Sequence, residues 1–223
     1  MLYALGDPVA FVALVLSFLL ALVLRSVAIR LTARSLGLAE RRDSITPRLR
    51  EDVDPFGAVA AAIGGMGWGK ILTVDDVPRY RGKARAIMVF AAGPVLCILV
   101  SQLILLGYAL AYPENFLSQI GPADVLLGLG GVPFVDQIVL SLAVGLLCFG
   151  LLALIPIPPL DGFGILYNAV SRPGRGMQWM RLWFEDKNIG VLVLLILCLF
   201  PFGAPFLLLI LNGLGLVFVR VWG

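Results

Sequence analysis

The sequence predicts an all-α polytopic membrane protein that forms a single membrane domain over residues 1–223. Hydrophobic residues make up 60% of the chain and charged residues 14%, whereas soluble domains average about 45–50% and about 25%. The apolar residues are concentrated in four uncharged stretches of 17 to 31 residues. About 20 apolar residues in a helix are enough to cross the bilayer core. The basic residues lie almost entirely between these stretches.

The first predicted span covers about residues 8–31. Residues 8–24 are uncharged, and the helix is expected to continue past Arg25 and Arg30 because long basic side chains can extend to the headgroups. In the polar connection that follows, residues 54–70 contain an apolar, glycine-rich segment too short to span. We expect a re-entrant or interfacial hairpin there, since irregular backbone at membrane depth must be buried in protein or wetted.

The remaining spans are predicted at residues 86–112, 137–160 and 189–219. The last stretch has 31 uncharged residues, too many for one ordinary span. Prolines at positions 201 and 205 interrupt it, so we expect a broken helix or a hairpin near 201–205. Residues 174–188 mix tryptophans with basic residues, which predicts a helix lying in the membrane interface.

The basic residues also predict the orientation. Residues 25–85 contain 12 of the 17 Lys and Arg residues, residues 161–188 contain four, and residues 113–136 contain none. The positive-inside rule therefore places the loops 25–85 and 161–188 in the cytoplasm and the N-terminus outside. The composition is compatible with a bacterial inner membrane.

The residue types restrict the possible chemistry. The sequence has no histidine, which excludes His-based acid–base catalysis and His-ligated metal sites within it. Its three cysteines lie far apart in apolar stretches without a C-x-x-C pair, which favours buried structural thiols. Asp161 follows a proline-rich turn at the end of the third span. It is either a solvated turn residue or a functional acid at the membrane boundary.

The turn carries a motif that resembles one of the site-2 protease family of intramembrane metalloproteases. Residues 153–162 are similar to the family's N-x-x-P-x-P-x-L-D-G, in which the aspartate is a zinc ligand. Pro156, Pro158, Asp161 and Gly162 match it, and Ala153 replaces the asparagine.

Three further motifs occur in the family's order. Gly93 and Pro94 match the family's A-G-P-x-x-N, with Cys97 in place of the asparagine. Residues 54–57 and 67–70 are similar to the family's D-P-x-G and G-W-x-K hairpin motifs. The resemblance covers about residues 20–170 and implies a core of three spanning helices with a hairpin between the first two.

The resemblance places the family's catalytic H-E-x-x-H signature at residues 25–29, where the chain departs from it. Arg25 and Ile29 occupy the positions of the two histidine ligands, and Ser26 occupies that of the general base. A guanidinium has no free lone pair for a metal, and isoleucine has no donor. The expected protein is therefore a degenerate member of the family that lacks zinc, any other cofactor and catalytic activity.

The resemblance also implies that the positions of Arg25 and Asp161 converge. We expect the two side chains to pair within a remnant site that further includes Ser26, Ile29 and Cys97, because a buried unpaired carboxylate is costly. The alternative is that Arg25 extends to the headgroups while Asp161 is solvated.

The predicted function is that of a non-enzymatic interaction, scaffold or accessory subunit for other integral membrane proteins. The expected partners are such proteins, or a larger membrane complex of which this chain is a subunit, together with lipid and without nucleic acid. One alternative is an active protease with an atypical site, for example with Ser26 as nucleophile, and another is a small transporter. A two-aspartate protease is not favoured, because only Asp161 lies at a suitable place.

Overall fold

The computed structural model describes residues 6–38, 45–77, 79–114, 116–199 and 206–223. Within these residues the secondary structure is helical, and the sole β pairing is one antiparallel bridge between Val53 and Gly69. The helices are α1 (Pro8–Ser35), α2 (Leu49–Asp52), α3 (Pro55–Gly64), α4 (Lys83–Ala111), α5 (Pro122–Leu127), α6 (Phe134–Ala153), α7 (Asp161–Ala169), α8 (Arg175–Met180, continued by a π-helical turn Arg181–Asp186), α9 (Ile189–Leu199) and α10 (Phe206–Arg220).

Helices α1, α4 and α6 form the core, and each of them packs against the other two. All three are long and apolar enough to cross a membrane. An all-helical fold with three candidate spanning helices is therefore confirmed. Helix α1 begins after Asp7, whose carboxylate accepts hydrogen bonds from the amides of Val9 and Ala10. This side-chain cap satisfies two amides that the first helical turn would otherwise leave unpaired.

Glycines allow the core helices to approach closely. A Cβ at Gly145 of α6 would lie 2.3 Å from Ser17 Oγ of α1, and one at Gly150 would lie 2.8 Å from the Pro94 carbonyl oxygen of α4. Ser17 donates its hydroxyl to the Leu142 carbonyl. Small residues at such contacts are typical of helix pairs packed in membranes.

The third core helix is shorter at its C-terminal end than the sequence predicts. Helix α6 ends at Ala153, whereas the predicted span runs to residue 160. The prolines at 156, 158 and 159 lack amide hydrogens and cannot continue the helix, so residues 154–160 form a turn. The carbonyl of Leu154 lies so close to Gly162 that a Cβ there would be 2.1 Å from it. The chain thus folds back on itself before α7 begins at Asp161.

Residues 54–70 form a hairpin-shaped segment between α1 and α4. Its first arm is α3, and its second arm, which has no regular secondary structure, returns to the Val53–Gly69 bridge. The arms touch where glycines leave room: a Cβ at Gly57 would lie 2.1 Å from the Trp68 carbonyl, and one at Gly67 would lie 2.1 Å from the Gly57 carbonyl.

The tip of this segment reaches the middle of the core. Gly65 and Met66 line a small cavity together with Leu14 of α1 and Cys148 of α6, while both ends of the segment lie near Arg25. Positions 14 and 25 are about 16 Å apart along α1, at 1.5 Å per residue. The tip and the ends of the segment are therefore separated by about this distance along the helix axis.

Among the described residues, two helices follow residue 188. Helix α9 packs against α3, and α10 packs against α5 and α6. After α10, Trp222 donates its indole N–H to Gln102 of α4 over 2.9 Å. The predicted break near 201–205 lies outside the described residues. The choice between a broken helix and a hairpin stays a prediction.

Residues 174–188, predicted as an interfacial helix, contain α8 and its π-helical continuation. Trp179 is 56% exposed, whereas Glu185 is buried. The segment packs against α7 through the buried residues Phe163 and Tyr167, with Met177 and Met180 partly buried beside them.

Candidate functional site

The side chains of Arg25 and Asp161 meet at the centre of the candidate site. Arg25 Nε donates to Asp161 Oδ2 over 2.7 Å, and Nη2 donates to Oδ1 over 2.5 Å. Arg25 is 8% exposed and Asp161 is 1% exposed. The contact is a bidentate, charge-assisted pair, which is the strongest geometry available to these two groups. The predicted pairing is present, and the alternative of a solvated Asp161 is wrong.

A third hydrogen bond ties the pair to the hairpin-shaped segment. Arg25 Nη1 donates to the Lys70 carbonyl oxygen over 2.8 Å. In turn, the amide of Lys70 donates to the Asp52 carbonyl over 2.8 Å. A single guanidinium therefore joins α1, the start of α7 and the returning arm of the hairpin.

Gly93 leaves room for the Arg25 side chain, and Gly69 leaves room for its neighbour Leu22. A Cβ at Gly93 of α4 would lie 2.5 Å from Arg25 Cγ, and a Cβ at Gly69 would lie 2.7 Å from Leu22 and 3.6 Å from Arg25 Nη1. Any larger residue at position 93 would force the arginine side chain or α4 to move.

Asp161 is positioned by the proline-rich turn before it. It is the first residue of α7, where the positive end of the helix dipole favours a carboxylate. The turn also packs against α9. Pro158 is buried, and a Cβ at Gly190 of α9 would lie 2.7 Å from the Pro158 carbonyl oxygen. Pro156 is exposed.

Little free space remains beside the pair. The cavity bounded by Arg25, Asp161, Trp68 and Phe149 has a volume of about 10 Å³, which is room for at most one water molecule. A larger, open cleft of about 220 Å³ adjoins it, and Arg25 lines both. A peptide bond cannot reach the carboxylate of Asp161 without displacing the guanidinium or the hairpin arm.

The other predicted site residues lie around the pair. Ser26 and Ile29 line the open cleft together with Arg25. Ile29 also packs against the buried cluster that contains Phe90 of α4. Cys97 is fully buried, and its Sγ contacts the Ala21 carbonyl at 3.7 Å, one helical turn from Arg25. The structure thus brings Arg25 and Asp161 into direct contact, and Cys97 contacts α1 one helical turn before Arg25.

A zinc ion, which the family resemblance implies, does not fit these residues. Zinc sites in hydrolases need three protein ligands and a bound water. Here the carboxylate of Asp161 is engaged by a cation, Arg25 has no lone pair to offer, and Ile29 has no donor. Within the described part of the chain, no group of three or more His, Cys, Asp or Glu residues could hold a metal ion.

Two contributors to the site were not predicted from the sequence. The Lys70 carbonyl acts through the backbone, so its residue type says nothing about the contact. Arg30 pairs with the buried carboxylate of Asp52 and donates to the Thr46 carbonyl over 2.6 Å. Arg30 follows Ser26 by four residues on α1, a spacing that places both on one face of the helix, and both line the same cleft.

Comparison with known proteins gives one informative similarity. A protein of Bacillus subtilis (strain 168) named "Putative zinc metalloprotease YwhC" is 26% identical to the chain over 177 residues, which are 78% of this chain and 74% of that protein. No family model matches the chain, and no solved structure matches it. The similarity supports a site-2-protease-like relationship for a helical protein with membrane-like character.

Proposed function

We propose that this chain is a catalytically inactive, site-2-protease-like membrane protein that binds or braces other integral membrane proteins, as a scaffold or accessory subunit. The observation that carries the proposal is the bidentate contact of Arg25 with Asp161. It places a fixed positive charge where the resemblance implies a metal, and it engages the carboxylate that would bind that metal.

The absence of histidine from the sequence supports the same proposal. Hydrolysis by a zinc-bound water needs metal ligands and a general base to accept the proton of that water. Ser26, at the base position, lines the cleft beside Arg25. A guanidinium stays protonated and cannot activate the serine hydroxyl.

The buried ion pair is a weak source of stability, which bears on its role. Replacing such a pair with packed apolar residues is often neutral or stabilising, whereas removing one partner is costly. In this proposal the pair defines one arrangement of α1, α7 and the hairpin, and so keeps the open cleft in a fixed shape for a partner.

The proposal includes an arrangement in the bilayer. Helices α1, α4 and α6 cross the bacterial inner membrane, with the N-terminus outside and the loops 25–85 and 161–188 in the cytoplasm. Residues 54–70 re-enter from the cytoplasmic side, because their ends lie together at the Val53–Gly69 bridge while their tip lines a cavity with Leu14. The cleft then opens near the cytoplasmic headgroups.

Site-specific photo-crosslinking tests the proposed function. A photo-reactive residue at Lys70, which lines the cleft, should crosslink to an integral membrane protein that also co-purifies in mild detergent. The matched control is Leu110, which is 75% exposed on α4 and lies away from the cleft. Equal crosslinking at the two positions, or a chain that purifies alone under every mild condition, would contradict the proposal.

The alternative is an active protease, which the name of the Bacillus subtilis relative favours. It predicts cleavage of a single-span substrate by the purified chain, with activity lost in Ser26→Ala or Asp161→Asn. The scaffold proposal predicts no cleavage and unchanged co-purification of the partner in Ser26→Ala.

A further inference from the structure

A dense basic surface lies at the N-terminal end of α4. We call it the basic patch and define it as Arg79, Arg81, Lys83, Arg85, Arg172 and Arg175. Two hydrogen bonds bring its two segments together: Arg79 Nη2 donates to the Val170 carbonyl over 2.6 Å, and Lys83 Nζ donates to the Ser171 carbonyl over 3.5 Å.

The charge of the basic patch is not compensated within the described residues. Five of its six cations are exposed and Arg79 is half-buried. None of the six takes part in an ion pair among the described parts of the chain. Residues 77–113 and 162–184 contain no Asp or Glu. Such a concentration of like charge is unfavourable without an anion nearby.

The position of the basic patch identifies the kind of anion. Uncharged residues 86–112 follow Arg85 directly, so the patch lies where the candidate spanning helix α4 leaves the apolar core. Tyr80 is 85% exposed inside the patch, and Trp179 is 56% exposed next to Arg175. Exposed Tyr and Trp rings mixed with cations are typical of the headgroup layer of a membrane.

We propose that the basic patch binds the headgroups of anionic phospholipids in the bilayer that the chain spans. Juxtamembrane cations are attracted to an anionic surface, and each contributes about a five-fold gain in affinity. The site does not depend on the scaffold proposal, because it involves neither Arg25 nor Asp161.

The binding is tested by measuring the phosphatidylglycerol that remains with the chain. The full-length protein is reconstituted in nanodiscs of phosphatidylcholine with a minor share of phosphatidylglycerol, extracted in mild detergent, and analysed by lipid mass spectrometry. The test variant Arg85→Gln/Arg175→Gln removes two exposed cations for which the structure gives no hydrogen bond. The matched control Arg50→Gln/Arg220→Gln removes two exposed cations outside the patch. A third variant, Arg85→Lys/Arg175→Lys, keeps the charge.

The wild-type chain, the control and the lysine variant should retain phosphatidylglycerol above its share in the bilayer, and added salt should reduce this excess. The test variant should lose most of this excess, because removing two cations lowers the affinity about 25-fold, five-fold for each. A wild-type chain that retains phosphatidylglycerol only in proportion to the bilayer would overturn the proposal. So would a control variant that loses as much lipid as the test variant.

Discussion

Gly93 of α4 lies directly against the side chain of Arg25, such that a Cβ at position 93 would be 2.5 Å from Arg25 Cγ and 3.3 Å from Arg25 Cα. The arginine can reach Asp161 only because α4 has no side chain at this point. Gly93, the glycine of the A-G-P motif, therefore has a structural role here: it makes room for the Arg25 side chain at a site whose residues do not fit a metal.

The Gly93→Ala substitution should destabilise the fold. The added methyl group must displace Arg25 or α4, and overpacking of this kind costs about 1–3 kcal/mol. Thermal unfolding in detergent measures the effect. Gly107→Ala in the same helix is the control, because a Cβ there would meet nothing within 4 Å, and alanine favours a helix by about 0.5–1 kcal/mol. Equal stability of the two variants would show that the close contact has no energetic consequence.

Removing one partner of the Arg25–Asp161 pair should cost more than removing both. Arg25→Met or Asp161→Leu leaves a buried charge unpaired, which costs about 3–5 kcal/mol, whereas the double variant replaces the pair with apolar groups. A double-mutant cycle on the free energy of unfolding measures the difference. The exposed pair Arg48–Glu51, at 56% and 54% side-chain exposure, is the control and should show a coupling of about 0–1 kcal/mol. Strictly additive losses at Arg25 and Asp161 would contradict the pairing.

Glu185 should make the stability of the fold depend on pH. Burial, helped by the nearby carboxylates of Asp186 and Asp75, raises the pKa of this carboxyl group from 4.5 to about 7, although the Val74 amide and Arg181 oppose the shift. Between pH 4.5 and about pH 7, Glu185 therefore keeps its proton in the native state but has released it in the unfolded chain. The free energy of unfolding therefore decreases as pH rises through this window.

The variant Glu185→Gln should remove this decrease, because an amide keeps the neutral state at every pH. Thermal unfolding in detergent from about pH 5 to about pH 8 measures the slope. Glu51→Gln, which changes an exposed carboxyl group, should leave the slope unchanged. If the stability of Glu185→Gln depended on pH as that of the wild type does, the titrating group would be a residue other than Glu185.

Much of the helical core could be predicted from the sequence, because uncharged stretches of the right length have few alternatives to a spanning helix. The contact of Arg25 with Asp161 could be predicted because four motifs in order aligned the chain with a known arrangement. The end of α6 at Ala153 was harder to predict, since residues 154–160 are as apolar as the helix before them and only their prolines stop it.

Other features depend on contacts that are distant in the sequence. Asn212 of α10 accepts a hydrogen bond from the Ala123 amide over 2.9 Å, and Val125 and Leu126 of α5 are buried between α6 and α10. Nothing in residues 122–127 alone indicates this burial. The buried position of Glu185 likewise depends on the packing of the π-helical turn against Val74 and α7, which the amphipathic pattern of residues 174–188 does not specify.

The proposed re-entrant course of residues 54–70 predicts how introduced cysteines react with a membrane-impermeant thiol reagent. Glu51→Cys and Lys70→Cys should be labelled from the same side of the membrane, and Glu114→Cys should be labelled from the opposite side. Met66→Cys should react from neither side, because Met66 is 4% exposed. The native cysteines in the described helices are buried and should give little background. Labelling of positions 51 and 70 from opposite sides would mean that the segment crosses the membrane.

The metal content of the purified full-length protein distinguishes an Asp161 that is engaged by Arg25 from an Asp161 that binds zinc. Elemental analysis of the wild type and of Asp161→Asn, both prepared with zinc in the medium, compares zinc per chain. A site in which Arg25 engages Asp161 predicts far less than one zinc per chain in both proteins. One zinc per wild-type chain that is lost in Asp161→Asn would contradict the account, because it would show that Asp161 still binds the metal.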